Sequence, residues 1–351
     1  MPNSITEIIE FVKNASQTER TINIAGSGSK AFWVNAQADL ILDMTHYQGI
    51  IEYEPSELVM SVKAGTPLDE VIHTLDKEGQ MLAFEPPLFS EGGSVGGMVA
   101  SGLSGPRRAY TGSVRDYVLG VRVIDGLAQD LHFGGRVIKN VAGFDVSRLM
   151  VGALGSLGVI AEVSLKVMPK PQYELTLSYS LSETQALQKM NELASRPYPI
   201  SATSFSLGEL KIRFSGAEVA VKAAYRELGG EVVEKADLWW HSLRNQTYQG
   251  FHSQKPLWRL SVKNTAKPLG LSGQSLIEWG GALRWINSEH TPAQIFKVAV
   301  EAQGHAQLFR GGDPQHPISS PLSPTLIPIH QRLKHNFDPK GIFNPGLPGN
   351  F

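Results

Sequence analysis

The chain has 351 residues, of which 42% are hydrophobic and 19% charged. That is apolar material for a sizeable core and too little charge for a disordered chain; at roughly 100–200 residues per domain it predicts two domains, or three. Lys plus Arg number 32 against 33 Asp plus Glu, and cysteine is absent, which excludes a global field steering the chain onto nucleic acid, disulfides, zinc thiolate sites, cysteine nucleophiles and iron–sulfur clusters held by this chain alone.

The first residues, Met1 to Lys13, carry acidic groups and lack the basic-then-apolar order of a signal peptide. No stretch nears the roughly 18 apolar residues of a membrane span. The expectation is a cytoplasmic chain, peripheral at an inner membrane only through partners. Ser4 followed by Glu7 reads as a helix cap, and Ile5, Ile8, Ile9 and Val12 form one helical face. Strand patterns follow at Thr21–Ala25, Leu40–Met44 and Val59–Lys63, with a short helix from Pro67 to Leu75. Val118–Asp125 and Gln129–Phe133 read as a hairpin with Asp125-Gly126 as its turn signal. A short helix at Ser147–Ala153 and a strand at Val159–Val167 lead to Pro169 and Pro171, where the first domain ends.

Beyond them the pattern changes. Strands are expected at Gln172–Ser180, Ser201–Phe205, Leu210–Phe214, Leu257–Val262, Gln274–Trp279 and Leu283–Asn287. Helices are expected at Glu183–Ala194, Ala217–Leu228 and Pro292–Ala302. The mostly antiparallel alternation argues for an α+β layer. The expected domains are 1–171, 172–330 and a tail, 331–351. Five of the six tryptophans fall between Trp239 and Trp285, as core or interface anchors.

Glycine is uneven: 15 of 35 fall between Gly92 and Gly158. Such a cluster beside strands suggests a ligand lying against backbone, although a loop-rich sheet gives the same composition. Gly26-Ser27-Gly28-Ser29-Lys30 follows a strand; its amides can form a nest for a phosphate, with Lys30 as a point charge. Gly26, Gly28 and Ala31 also fit a relaxed dinucleotide fingerprint, but no crossover helix fits before the next strand. Gly92-Gly93-Ser94-Val95-Gly96 fits a nucleophile elbow, yet Pro86-Pro87 precedes it and more glycine follows, so neither flank suits the strand and helix that an elbow needs. A second phosphate-contacting loop, with Ser94 or Ser101 as donors, fits better.

Several motifs in order carry a resemblance: Gly26–Lys30; Pro86-Pro87 leading to Gly92–Gly97; Tyr110 to Gly120; Lys139 to Asp145; Gly155-Ser156-Leu157-Gly158-Val159-Ile160; and Phe337 to Gly346. With them the chain resembles the flavoproteins of the vanillyl-alcohol oxidase and p-cresol methylhydroxylase type, and within these the smaller flavin-binding subunit of the glycolate oxidase group. The resemblance implies an α+β fold: a two-subdomain FAD-binding domain, an α+β cap domain, and a tail returning to the first. It implies FAD contacts from Gly26, Ser27, Gly28, Ser29 and Lys30, then from Gly92, Gly93, Ser94, Val95, Gly96, Gly97 and Met98, continued by Ser101 and Gly102. Gly112, Ser113 and Asp116 match a segment at the FAD phosphate and adenosine; Gly158 and Ile160 match one at the adenine. Plain turn structure is the alternative account of Asp116 and Gly158. Lys139 and Asn140 match a loop near the flavin.

Larger members carry H-x-G-D-G-N-x-H, and the ten scattered histidines here include no such motif. No catalytic residue is therefore assigned. Arg213, Arg259, Arg284 and Arg310 lie in strand patterns of the cap, where one could hold a carboxylate, although surface arginines are commoner. Arg107-Arg108 could offset phosphate charge, face a partner or be solvated. His330 and His335 are five apart, off the helical spacing of paired ligands, so no metal is expected. With no Cys, and no His in either loop, FAD is expected without a covalent link. The expected partners are a larger flavoprotein, an iron–sulfur subunit and a small 2-hydroxy acid, in a complex oxidising glycolate to glyoxylate; the alternative is a self-sufficient oxidoreductase for another small hydroxy acid or alcohol.

Overall fold

The computed structural model describes residues 1–32, 37–89, 92–135, 145–312 and 318–346. The chain divides into two units: Met1–Ser104, Gly112–Pro169 and Leu322–Phe351 form the first, Gly105–Thr111 and Lys170–Pro321 the second.

Helix α1 (Ile5–Gln17) opens the first unit. The Ser4 side chain accepts a hydrogen bond from the Glu7 amide at 3.3 Å, as the sequence predicts. Ile8, Val12 and Ala15 are fully buried, each large apolar side chain contributing about 1.5–3 kcal/mol. Strands β1 (Ile22–Ala25) and β2 (Leu40–Asp43) pair in parallel. β3 (Ile50–Glu54) and β4 (Val59–Lys63) follow, then α2 (Leu68–Lys77) and β5 (Gln80–Met81). The glycine-rich run becomes a helix, α3 (Val95–Ser101), with Ser94 as its cap. α4 (Arg108–Thr111) belongs to the second unit. α5 (Val114–Tyr117), β6 (Val118–Ile124), β7 (Asp130–Gly134), α6 (Val146–Leu149), β8 (Val159–Lys166) and β9 (Met168–Pro169) complete this stretch. The sheet order is β3-β4-β8-β6-β7, antiparallel throughout. One core lies between this sheet and α2 and α3, through Met60, Val62, Leu68, Val95, Met98, Val99 and Val163. A second joins α1, β1 and β2 to Ile124, Val159, Ile342 and Phe343 of the tail.

The hairpin differs from its turn signal. Ile124 pairs with Asp130, so five residues connect the strands. Asp125 organises them by accepting from the amides of Leu127 and Gln129. Gly126 serves the tail instead: its amide donates to Phe337 O at 2.8 Å, and a Cβ there would lie 2.6 Å from Asp338 Oδ1.

The second unit is an eight-stranded antiparallel sheet with helices. Its elements are β10 (Tyr173–Ser180), α7 (Glu183–Ala194), β11 (Ile200–Ser206), β12 (Glu209–Gly216), α8 (Glu218–Leu228), β13 (Glu231–Val232), α9 (Ala236–Arg244), β14 (Leu257–Ser261), β15 (Gln274–Glu278), β16 (Leu283–Asn287), α10 (Pro292–Glu301) and β17 (His305–Arg310). The strand order is β13-β10-β12-β11-β15-β16-β14-β17. Gly105–Thr111, which the sequence boundaries leave in the first domain, is held here by side chains: the Trp279 indole donates to Gly105 O at 3.0 Å, and Arg107 is ion-paired with Glu174. The return to the first unit begins at Leu322, ahead of the expected residue 331, and leads into α11 (Ile327–Phe337).

The tail is clasped by a buried ion pair. Lys334 Nζ donates to Asp338 Oδ2 at 2.7 Å and to Ser156 O at 2.8 Å; Asp338 also accepts from the amides of Ile342 and Phe343. Ile22 then bridges Phe343 in parallel, so the tail lies alongside β1. No described helix is long and apolar enough to cross a membrane.

Candidate functional site

Two adjoining hollows in the first unit share Ile24, Ala25, Gly26, Ser94, Gly97, Ala100, Leu154 and Asn344. Their open volumes are about 430 and 700 Å³, within or near the usual range of small-molecule sites. Gly26, Ser27, Gly28, Ser29 and Lys30 all line the outer hollow; Gly158 and Ile160 line the inner one.

Helix α3 explains which of the other expected residues arrive. Its period turns Val95, Met98 and Val99 into the core, and Gly96, Gly97, Ala100 and Ser101 towards the hollows. Val95 and Met98 are core side chains at 0% and 2% exposure, so only their main chain is left for the backbone contacts the sequence leads one to expect there. Gly92 and Gly93 lie outside both linings. Gly93 O accepts from the Leu68 amide at 2.7 Å, and a Cβ on Gly93 would sit 2.9 Å from Leu68 Cδ1. Gly102 ends α3 in a left-handed conformation, φ 62°, which suits glycine at a helix terminus. Gly112, Ser113 and Asp116 also lie outside these linings: Asp116 Oδ2 accepts from the Ser113 amide at 2.8 Å and its hydroxyl at 2.9 Å, capping α5. Lys139 and Asn140 fall outside the described residues.

The cradle depends on missing side chains. A Cβ on Gly26 would lie 2.5 Å from Ser94 Oγ; one on Gly97 would lie 3.2 Å from that oxygen and 3.7 Å from Lys30 Nζ. Ser94 Oγ itself accepts from the Gly97 amide at 3.2 Å. Lys30 Nζ donates to Ser29 Oγ at 3.1 Å and lies 5.4 Å from the Phe89 ring centre. Among the described residues no carboxylate lies within 4 Å of it. Burial lowers its pKa to about 8, so the site holds a largely desolvated amine whose charge awaits an anion. A diphosphate would supply that anion, and the small residues leave room for it beside main chain. The donor set therefore fits FAD.

The sequence does not single out Asn344, Leu154 or Ala100, all of which line both hollows. Asn344 Oδ1 accepts from the Ile24 amide at 2.8 Å, and its Nδ2 donates to Leu154 O at 2.7 Å. It thereby fixes the end of β1, just before Gly26, to the turn before β8. Gly155 permits this approach, since a Cβ there would fall 2.5 Å from Asn344 Nδ2. The signal was the tail motif Phe343-Asn344-Pro345-Gly346, whose role is set only once the tail lies against β1.

In the second unit, Arg213 and Arg284 are buried and Arg259 and Arg310 half-buried. Arg213 donates to Ser201 Oγ at 3.0 Å, Arg284 to Gly281 O at 2.7 Å and Ala266 O at 3.0 Å. Arg310 donates weakly to Phe251 O at 3.4 Å. Arg259 lies over two tryptophans. Arg107 is buried in its ion pair, and Arg108 stacks on Trp279 at 4.4 Å. Among the described residues no cluster of three or more His, Asp or Glu side chains could hold a metal ion.

Residues 1–132 match the FAD binding domain family. Glycolate oxidase subunit GlcE of Escherichia coli (strain K12) is 45% identical over 97% of this chain and 95% of its own length. The chain belongs to the GlcE family. Its cofactor is FAD, and it is a FAD-dependent oxidoreductase chain. Glycolate oxidase subunit GlcD of Bacillus subtilis (strain 168) is 30% identical over 50% of this chain and 38% of its own length. A D-2-hydroxyglutarate dehydrogenase of Xanthomonas citri pv. viticola is 28% identical over 49% of this chain and 36% of its own length. The solved structure of an alkyldihydroxyacetonephosphate synthase superposes with a TM-score of 0.69, covering 99% of this chain and 76% of that one at 16% identity. That likeness concerns the fold: an α+β FAD-binding domain followed by an α+β cap.

Proposed function

We propose that the chain is the FAD-binding subunit of a multi-subunit glycolate oxidase. The observation that carries the cofactor site is Lys30, an amine without a carboxylate among the described residues, on a wall of glycine and serine. FAD, when bound, supplies a two-electron acceptor for the oxidation of an alcohol carbon. Gly26 to Lys30 and Ser94 to Ser101 hold the diphosphate without a covalent link. Gly158 and Ile160 border the adenine, and Gly112 to Asp116 brace the neighbouring turn. Ser94 orients α3, and Asn344 ties β1 to the turn before β8.

Glycolate becomes glyoxylate by losing two electrons and two protons. The chain has no cysteine for an iron–sulfur cluster, and it lacks the histidine motif that would supply a base. The electrons accordingly leave through partners: a larger flavoprotein, of which GlcD is the relative, and an iron–sulfur subunit. Attachment to a membrane comes through that complex. The near full-length likeness to GlcE favours this over a self-sufficient oxidase. The test is co-expression with candidate partner chains. The isolated chain should be yellow and inactive on glycolate, and activity should appear with the partners; glycolate oxidation by the isolated chain would overturn the reading.

A further inference from the structure

Among the residues lining the outer hollow, Lys30 is the only one that titrates; the others are glycines, serines, aliphatic side chains and two asparagines. A single amine therefore faces an open space of about 700 Å³. It is held in place without being neutralised. Its Nζ donates to Ser29 Oγ at 3.1 Å, lies 5.4 Å from the Phe89 ring centre, and makes no ion pair among the described residues. Gly97 keeps the space beside the nitrogen clear, since a Cβ there would lie 3.7 Å from Nζ.

The surroundings of the amine are donors for an anion. Ser29 is buried, and its hydroxyl lies 3.5 Å from Ser27 Oγ. The amides of Ser27, Gly28, Ser29 and Lys30 donate to no acceptor among the described residues. One corner of the hollow thus joins an amine to hydroxyl and main-chain donors. Burial lowers the Lys30 pKa to about 8. Near neutral pH a sizeable share of the amine is therefore unprotonated, and that is the form that adds to a carbonyl carbon.

We propose that in the FAD-free chain Lys30 is a modification site, which condenses reversibly with the aldehyde of a small 2-oxo acid of the glyoxylate type. The nitrogen lone pair forms a bond to the carbonyl carbon. The carbonyl oxygen takes up the proton that the nitrogen releases, giving a carbinolamine. The carbon–oxygen bond then breaks, the oxygen leaves as water, and a carbon–nitrogen double bond remains. Nothing is oxidised or reduced. The Ser29 hydroxyl, hydrogen-bonded to Nζ, is placed to carry the proton and to hold the carboxylate of the condensed acid. The adduct replaces the one cation of the hollow by a group bearing a carboxylate, which a diphosphate cannot join. Accumulated product then holds back the loading of cofactor into FAD-free chains. The imine site rests on the hollow and Lys30 alone; the exclusion of FAD and the choice of glyoxylate rest on the function proposed above.

The test uses the full chain, stripped of FAD or reloaded with it, equilibrated with glyoxylate near neutral pH and pulsed with borohydride. Reduction fixes the imine as a carboxymethyl amine, and peptide mapping by mass spectrometry gives the occupancy of each lysine. In the stripped chain Lys30 should be at least about tenfold more occupied than any other lysine at low glyoxylate. Its occupancy should climb with pH and level off above about 8. Acetaldehyde, which has no carboxylate, should occupy Lys30 at least about tenfold less. Lys30→Arg should remove the label from that peptide and leave the others unchanged, and Ser29→Ala should lower Lys30 occupancy. Circular dichroism reports folding, and Ser29→Ala keeps the comparison open if Lys30→Arg misfolds. Occupancy of Lys30 no greater than that of exposed lysines, or equal labelling by acetaldehyde, would overturn the proposal. FAD should prevent the labelling; selective labelling that FAD leaves unchanged would uphold the imine site and overturn the placement of the diphosphate beside Lys30.

Discussion

The cradle in the first unit and the arginine face in the second handle charge in opposite ways. The cradle is made by leaving side chains out: Gly26, Gly97 and Ser94 leave main chain open to the hollow, and one amine, Lys30, lines it. The arginine face is made by putting large side chains in: Trp279 and Trp285 flank Arg259. A dianionic diphosphate needs many donors around it, which amides give at low cost in side-chain entropy. The two designs fail differently when altered, and that difference can be measured.

The largest expected effect lies in the clasp that both closes the first unit and places Asn344. Asp338→Ala removes one partner of a buried ion pair and frees three donors. It should lower the unfolding free energy by about 3–5 kcal/mol, read by urea denaturation of the apo chain. Next, Lys30→Gln should raise the FAD dissociation constant about tenfold to a hundredfold, the range for losing a hydrogen bond to a charged group, with no loss of apo stability, since the buried charge that costs stability below pH 8 is gone. If the cradle worked by side chains alone, that substitution would abolish binding. Ser94→Ala removes the cap of α3 and should cost about 1 kcal/mol of stability, together with a modest loss of FAD affinity from a frayed Gly97 amide.

The smallest effect is a pH dependence. The folded apo chain holds Lys30 at about 8, against its ordinary 10.5. Between those values the unfolded chain binds more protons, so apo stability should rise with pH from about 8 to 10.5. The destabilisation is in full force below pH 8. A bound diphosphate restores the protonated form, so FAD affinity should fall as pH climbs through 8. Lys30→Gln should flatten both profiles.

The contrast also explains what the sequence could disclose. A cradle of absent side chains leaves glycines close together in the chain, and Gly26–Lys30 could be read directly. The helical order of α3 was hidden by the same glycines, whose low helix propensity is outweighed by the Ser94 cap and by burial of Val95, Met98 and Val99. Gly126 looked like turn chemistry and proved to be clearance for the tail. Asn344 and Leu154, 190 positions apart, meet only once the chain between them is folded. The arginine face is harder still, because strand pairing decides what each of Arg213, Arg259, Arg284 and Arg310 faces, and Gly105–Thr111 joins that unit from far along the sequence.

The most direct test of the cradle is equilibrium titration of the apo chain with FAD, comparing wild type with Gly97→Val and checking both by circular dichroism. The account predicts saturation at one FAD per wild-type chain and a loss of at least about a hundredfold in affinity for a folded Gly97→Val chain, whose added methyls occupy the space between Ser94 and Lys30. Equal affinity in the two folded proteins would place the diphosphate elsewhere and contradict the account.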